Sequence, residues 1–126
     1  MGKIERLMVE GQLEPVSHYC HAVRAGDRIW ISGTVGIDAS GVVPKDVVEQ
    51  FELAILNLDS ALQQAGGVAT DIVKVTVFLT NIEDRSRINP IRQRYFGKHR
   101  PASTLIEVSQ LVFPELKVEI EAEAVI

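Results

Sequence analysis

Side chains able to do chemistry fall into two short stretches. The first holds His18, Cys20 and His21. A metal site needs three or four convergent ligands. Residues 18–21 read as turn and strand rather than helix, so the two histidines are not set one turn apart, and His99 stands alone; no metal is expected. Cys20 would be a nucleophile only with a depressed pKa. Its histidine neighbours could favour that, but a free cysteine is ordinarily a small buried hydrophobe. The second stretch is Lys117 to Ile126, which alternates strictly. Val118, Ile120, Ala122, Ala124 and Ile126 point one way, and Lys117, Glu119, Glu121, Glu123 and Val125 the other. The ordinary reading of the glutamate row is a solvated face. Its chemical reading is proton transfer, because a carboxyl held against an apolar wall has a raised pKa. Gly66-Gly67 is no phosphate loop, since it follows a helical pattern instead of opening one.

The elements that must position these residues read in order as strand, hairpin, helix, strand, helix, strand, strand. Residues 3–9 form a first strand, and residues 10–18 are rich in turn formers. Tyr19 to Arg24 and Arg28 to Ser32 are the arms of a hairpin turning at Gly26. Residues 45–65 form the clearest helix, with Val48, Phe51, Ile55, Leu58, Leu62 and Ala65 on one apolar stripe and Gly66-Gly67 at its end. In the strand 71–79, Val73, Val75, Val77 and Leu79 share a face. Asn89-Pro90 reads as the N-cap and first residue of a second helix. Ile91 and Tyr95 face inward on it, and Gly97 closes it. Pro101 sets an extended start for the next strand. The final strand, being so regular, belongs inside the sheet. The economical fold is α+β: a mixed sheet with a parallel crossover at the first helix and both helices on one face. The second sheet face is then uncovered, and an apolar uncovered face implies a partner.

The length, 126 residues, suits one domain spanning 1–126. Hydrophobic residues are 46% and charged residues 24% of the chain, as in soluble globular proteins. No apolar run reaches the roughly 20 residues that span a bilayer, so no membrane partner is expected. The first residues lack a secretory pattern and Cys20 has no cysteine to pair with, which points to the cytoplasm. A net charge of -4, with dispersed basic residues, argues against a nucleic-acid partner.

Several of these stretches together resemble one family. Tyr19-x-x-Ala22-Val23-Arg24-Ala25-Gly26-Asp27, Ile31-Ser32-Gly33, Ala65-Gly66 with Asp71 to Leu79, Pro101-Ala102-Ser103-Thr104 and Val118-Glu119-Ile120-Glu121-Ala122 resemble the RidA/YjgF superfamily, in order and over nearly the whole chain. The resemblance implies a chorismate-mutase-like fold and a homotrimeric barrel with ligand sites in the clefts between subunits. It also implies a cofactor-free site for a small-molecule metabolite. Tyr19, Ser32, Asn89 and Glu119 occupy the family's site positions. Glu119 would shuttle protons in imine hydrolysis, while Tyr19 and Ser32 would orient the substrate. Each has a structural alternative: Tyr19 as a packed aromatic, Ser32 as a strand end, Asn89 as a helix cap.

One departure stands out. The deaminases of this family carry an arginine, which grips the substrate carboxylate, where this chain has Ser103. Serine cannot make that bidentate contact. Leu105 and His21 also depart from the family's cysteine and glutamine. The expected result is a divergent member, weak on simple 2-imino acids, whose substrate is either uncharged at that end or longer and anchored elsewhere, with His21, Arg24 and Arg100 as candidates. The expected function is a hydrolase acting on a small imine, enamine or related metabolite. The alternative is a non-catalytic binding or interaction trimer.

Overall fold

The structure, a computed structural model, describes residues 3–126. It contains strands β1 (Ile4–Leu7), β2 (Ala22–Ala25), β3 (Arg28–Val35), β4 (Ile72–Leu79), β5 (Ala102–Glu107) and β6 (Val118–Val125), with helices α1 (Val47–Gln64) and α2 (Arg85–Phe96). All six strands join one mixed sheet in the order β1-β2-β3-β6-β4-β5. The alternation in the last stretch is realised in full. Val118, Ile120, Ala122 and Ala124 are buried while the residues between them are not. β6 lies between β3 and β4, antiparallel to both. The strand at the end of the chain is thus the middle of the sheet, and the Ile126 amide is tied to the Asp27 carbonyl.

Because β3 and β4 are both antiparallel to β6, they run parallel to each other. The crossover through α1 therefore skips one position, which β6 fills later. The hydrogen-bonded parallel pair is β4 with β5, joined through α2. Both helices cover one sheet face. Phe51, Leu58 and Leu62 of α1 and Ile88, Ile91 and Phe96 of α2 share a core with Ile29, Ile31, Val75, Val77, Val118 and Ile120. The Tyr95 hydroxyl donates to Asp59 and links the two helices, and burial with this bond pushes its pKa up.

α1 follows its stripe. Asp46 caps it by accepting from the Val48 amide, and Gly66, at φ 101°, supplies the left-handed turn that ends it. Off the stripe, Gln50 is nonetheless buried. Its amide donates to the carbonyls of Pro44 and Glu115 and accepts from the Lys117 amide, fastening α1 to the start of β6.

Three local expectations need correction. Asn89-Pro90 does not start a helix. α2 begins at Arg85, directly after the 3-10 turn Ile82–Asp84, and Asn81 is the capping residue there, accepting from the Glu83 amide. Pro90 lies inside α2, where its missing donor removes one bond, to the Ser86 carbonyl. Val73 is not on the inner face. The ladder with β6 slips between Ile72 and Lys74, and Val73 is exposed at the slip. Tyr19 precedes β2 instead of opening it, although the His21 and Ser32 amides continue the pairing by bonding to Leu7 and His21.

The uncovered face is lined along β3, β4, β5 and β6 by Trp30, Phe78, Ile106 and Val125, interspersed with Lys74, Thr104 and the three glutamates. Trp30 is 38%, Ile106 41% and Val125 41% exposed, a broad apolar area for a lone chain.

Candidate functional site

The irregularity in β3 builds the first half of the site. Between Ile31 and Thr34 the register with β6 shifts, so Ser32-Gly33 forms a bulge. Ser32 and Gly33 face a pocket shared with Tyr19, His21, Thr34, Val35 and Phe113. The Ser32 hydroxyl donates to the Cys20 carbonyl at 2.7 Å. Its hydrogen is therefore committed, and toward a ligand it offers lone pairs. Gly33 has a specific reason to be glycine: a Cβ there would overlap the Glu119 carboxylate. Glu119 is half-buried on the uncovered face of β6, between Val35 and Phe78 on the neighbouring strands. Burial first, and the Glu121 charge second, raise its pKa above the ordinary carboxylate value. Tyr19 and Ser32 thus share one pocket at the bulge, and the Glu119 carboxylate abuts Gly33 of the same bulge.

His21 and Arg24 are committed elsewhere. The Val9 amide donates to His21 Nδ1, which leaves the hydrogen on Nε2 facing the Leu13 carbonyl at 3.0 Å. Both ring nitrogens thus pin the 10–18 loop to β2. Arg24 lies on the helix face, its guanidinium donating to the carbonyls of Ala65 and Gly26. It acts as a C-cap for α1, where a cation meets the negative end of the helix dipole. Both side chains are thus engaged within the chain, and neither lies at the Ser103 edge.

The second half of the site lies at the β5 edge. In register with Val75, Ser103 faces the helices, as does Leu105, which packs against the core. Ser103 has a neighbour the sequence reading missed. Arg92 of α2 donates from Nη2 to Ser103 Oγ at 2.7 Å. Arg92 is half-buried, and burial lowers its pKa. Asn89, one turn earlier, lines the same groove with Arg92 and Leu105. The i, i+3 spacing of Asn89 and Arg92 was the available signal, but only the packing of α2 on β5 shows what they face. Arg100 is exposed where the groove continues past Pro101.

The two halves do not meet within one chain. β3 and β5 are three strand positions apart in the sheet, roughly 14 Å at ordinary strand spacing. Glu119 lies on the uncovered face, whereas Ser103 and Arg92 lie on the helix side of the edge.

Residues 9–126 match the family described as endoribonuclease L-PSP. The chain belongs to that family. It is the RidA/YjgF family which the motifs resembled. Among its members, a RutC family protein of Pyrococcus abyssi is 34% identical over 122 residues, covering 95% of both chains. A 2-iminobutanoate/2-iminopropanoate deaminase of Capra hircus is 40% identical over 112 residues, covering 87% of this chain and 81% of its own. The crystal structure of Escherichia coli TdcF with bound serine superposes with a TM-score of 0.88 at 29% identity, covering 96% of this chain and 99% of that one. The α+β mixed sheet with two helices on one face is therefore the fold of RidA/YjgF proteins.

Proposed function

We propose that this RidA/YjgF protein is a cofactor-free hydrolase of small imines or enamines, working in a cleft between two copies of the chain in a homotrimer. The observation that carries this reading is the Glu119 carboxyl, half-buried against Gly33 in the bulge that also holds Ser32. A raised pKa brings its protonated and ionised forms closer to equal population near neutrality, which suits a group that must both take and give a proton. In imine hydrolysis Glu119 takes a proton from water as its oxygen adds to the C=N carbon. It passes that proton to nitrogen to give a carbinolamine, then carries the hydroxyl proton to the amine as the C–N bond breaks, so that a carbonyl compound and ammonia leave. Ser32 accepts from the substrate N–H, and Tyr19 forms one wall. Asn89 and Ser103 belong to the half-site that a neighbouring copy would supply. The name of the Capra hircus relative supports this substrate class.

The homotrimer rests on two supports. The uncovered face carries exposed Trp30, Ile106 and Val125, which a barrel would bury. The two half-sites on one chain are also too far apart for one small molecule. Light scattering at micromolar concentration should give three chain masses; a persistent monomer would remove both the trimer and the shared cleft. An RNA substrate is disfavoured, whatever the family's description, because the net charge is -4 and the uncovered face presents Glu119, Glu121 and Glu123.

Glu119→Gln should lower imine turnover by roughly a hundredfold or more while leaving the assembly intact. A Glu119→Gln protein as active as wild type would end the catalytic assignment. The second reading, a binding protein without turnover, draws on the serine bound to TdcF. A metabolite that raises the melting temperature and is recovered unchanged, with no imine hydrolysed, would favour it.

A further inference from the structure

The expectation of weak activity on 2-imino acids assumed that no cation stands beside Ser103. Arg92 stands there, in a groove that Glu83 and Arg85 also line. Among the described residues the one ion pair is Arg87 with Asp46, and no carboxylate lies within ion-pair reach of Arg92. Among the described residues its one hydrogen-bonding partner is a neutral hydroxyl, Ser103 Oγ at 2.7 Å. A guanidinium has five N–H donors in a planar fork, so most of the fork is left for another acceptor. Half burial has removed part of the water that would otherwise serve it, and a guanidinium stays charged at any working pH. The surroundings are those of a ligand site. Asn89 lies one turn away on the same groove, with Leu105 as its apolar wall.

We infer that Arg92, oriented by Ser103, is the residue that binds the carboxylate of the substrate in this chain. The substrate class rests on the imine-hydrolase reading above; the anion site itself rests on Arg92 alone. Ser103 is then a positioning residue. It is too short and neutral to hold a carboxylate, but its oxygen fixes one edge of the Arg92 fork and leaves the other for two parallel bonds to an anion. The cation comes from the helix instead of the strand. It therefore reaches an anion from the helix side of the β5 edge.

The test compares wild type, Arg92→Gln, Arg92→Lys and Ser103→Ala, each checked for unchanged assembly mass and melting temperature. Binding is measured by calorimetry with pyruvate and with its uncharged amide, both stable. Turnover is measured on 2-imino acids made in place by an amino-acid oxidase. Wild type should prefer pyruvate over the amide by roughly tenfold or more, and Arg92→Gln should lose that preference. Arg92→Lys should restore it in part, since an ammonium keeps the charge but not the fork. Ser103→Ala should raise KM about threefold to tenfold with kcat nearly unchanged, as expected for lost orientation of a binding group. Absence of a pyruvate preference in wild type, or its persistence in Arg92→Gln, overturns the inference. Turnover of 2-imino acids in Arg92→Gln within about threefold of wild type would also overturn it while leaving the hydrolase reading standing. Loss of pyruvate binding in Arg92→Gln, with no imine hydrolysed even by wild type, would uphold the anion site and overturn the hydrolase.

Discussion

Glu119 is held in a state that opposes folding, as a proton carrier in the proposed reaction would be. Its proton is bound more tightly in the folded chain than in the unfolded one, because burial and the neighbouring Glu121 both disfavour the charge. Between the ordinary value of 4.5 and the raised folded value, the native state therefore carries more protons, and stability falls as pH rises. Above the folded value the full cost is present. Glu119→Gln, which cannot ionise, should melt at a higher temperature than wild type near about pH 7, and the gap should close as pH drops below about 4. A melting series across that range checks this; a gap that is absent at neutral pH would show that the carboxylate is well solvated. Gain of stability with loss of turnover is the pattern of a strained functional group.

At the scale of elements, the end of β3 carries two glycines with different obligations. At Gly33 a Cβ would meet the tip of a flexible side chain, Glu119, whereas at Gly36 it would meet the backbone of Gln50 in α1. Gly33→Ala should leave the melting temperature nearly unchanged but displace Glu119, reducing turnover. Gly36→Ala must push helix from sheet and should cost about 1–3 kcal/mol, read by urea unfolding. The opposite ranking would mean that the bulge is a stability device. Much of this architecture was legible. α1 and β6 declare themselves because burial on one side imposes a period on many residues at once, and Gly66 ends the helix where its φ requires. Asn89-Pro90 misled because a local signal was read without its context: proline suits a helix start, yet inside α2 it forfeits only one bond. Val73 misled because a one-residue slip in a ladder leaves no trace in the pattern of apolar residues. In the candidate site, the hairpin and final strand that carry Tyr19, Ser32 and Glu119 were legible through motif. Arg92 was not, since a contact between a helix and an edge strand is tertiary and has no sequence period.

For the whole molecule, the distance between the bulge group and the edge group has a genetic consequence. In the proposed ring of three identical chains, each cleft would join the bulge of one copy to the edge of the next. Glu119→Gln spoils only the bulge half, and Arg92→Gln only the edge half. Two such chains, each inactive alone, should complement when they are unfolded, mixed equally and refolded together. Every mixed ring then contains one cleft built from two intact halves, and random assortment should return about a quarter of wild-type activity. Co-refolding followed by the imine assay measures it. If both residues served the same cleft from one chain, mixing would restore nothing, so the fraction recovered reads out directly which copy lends which side chain.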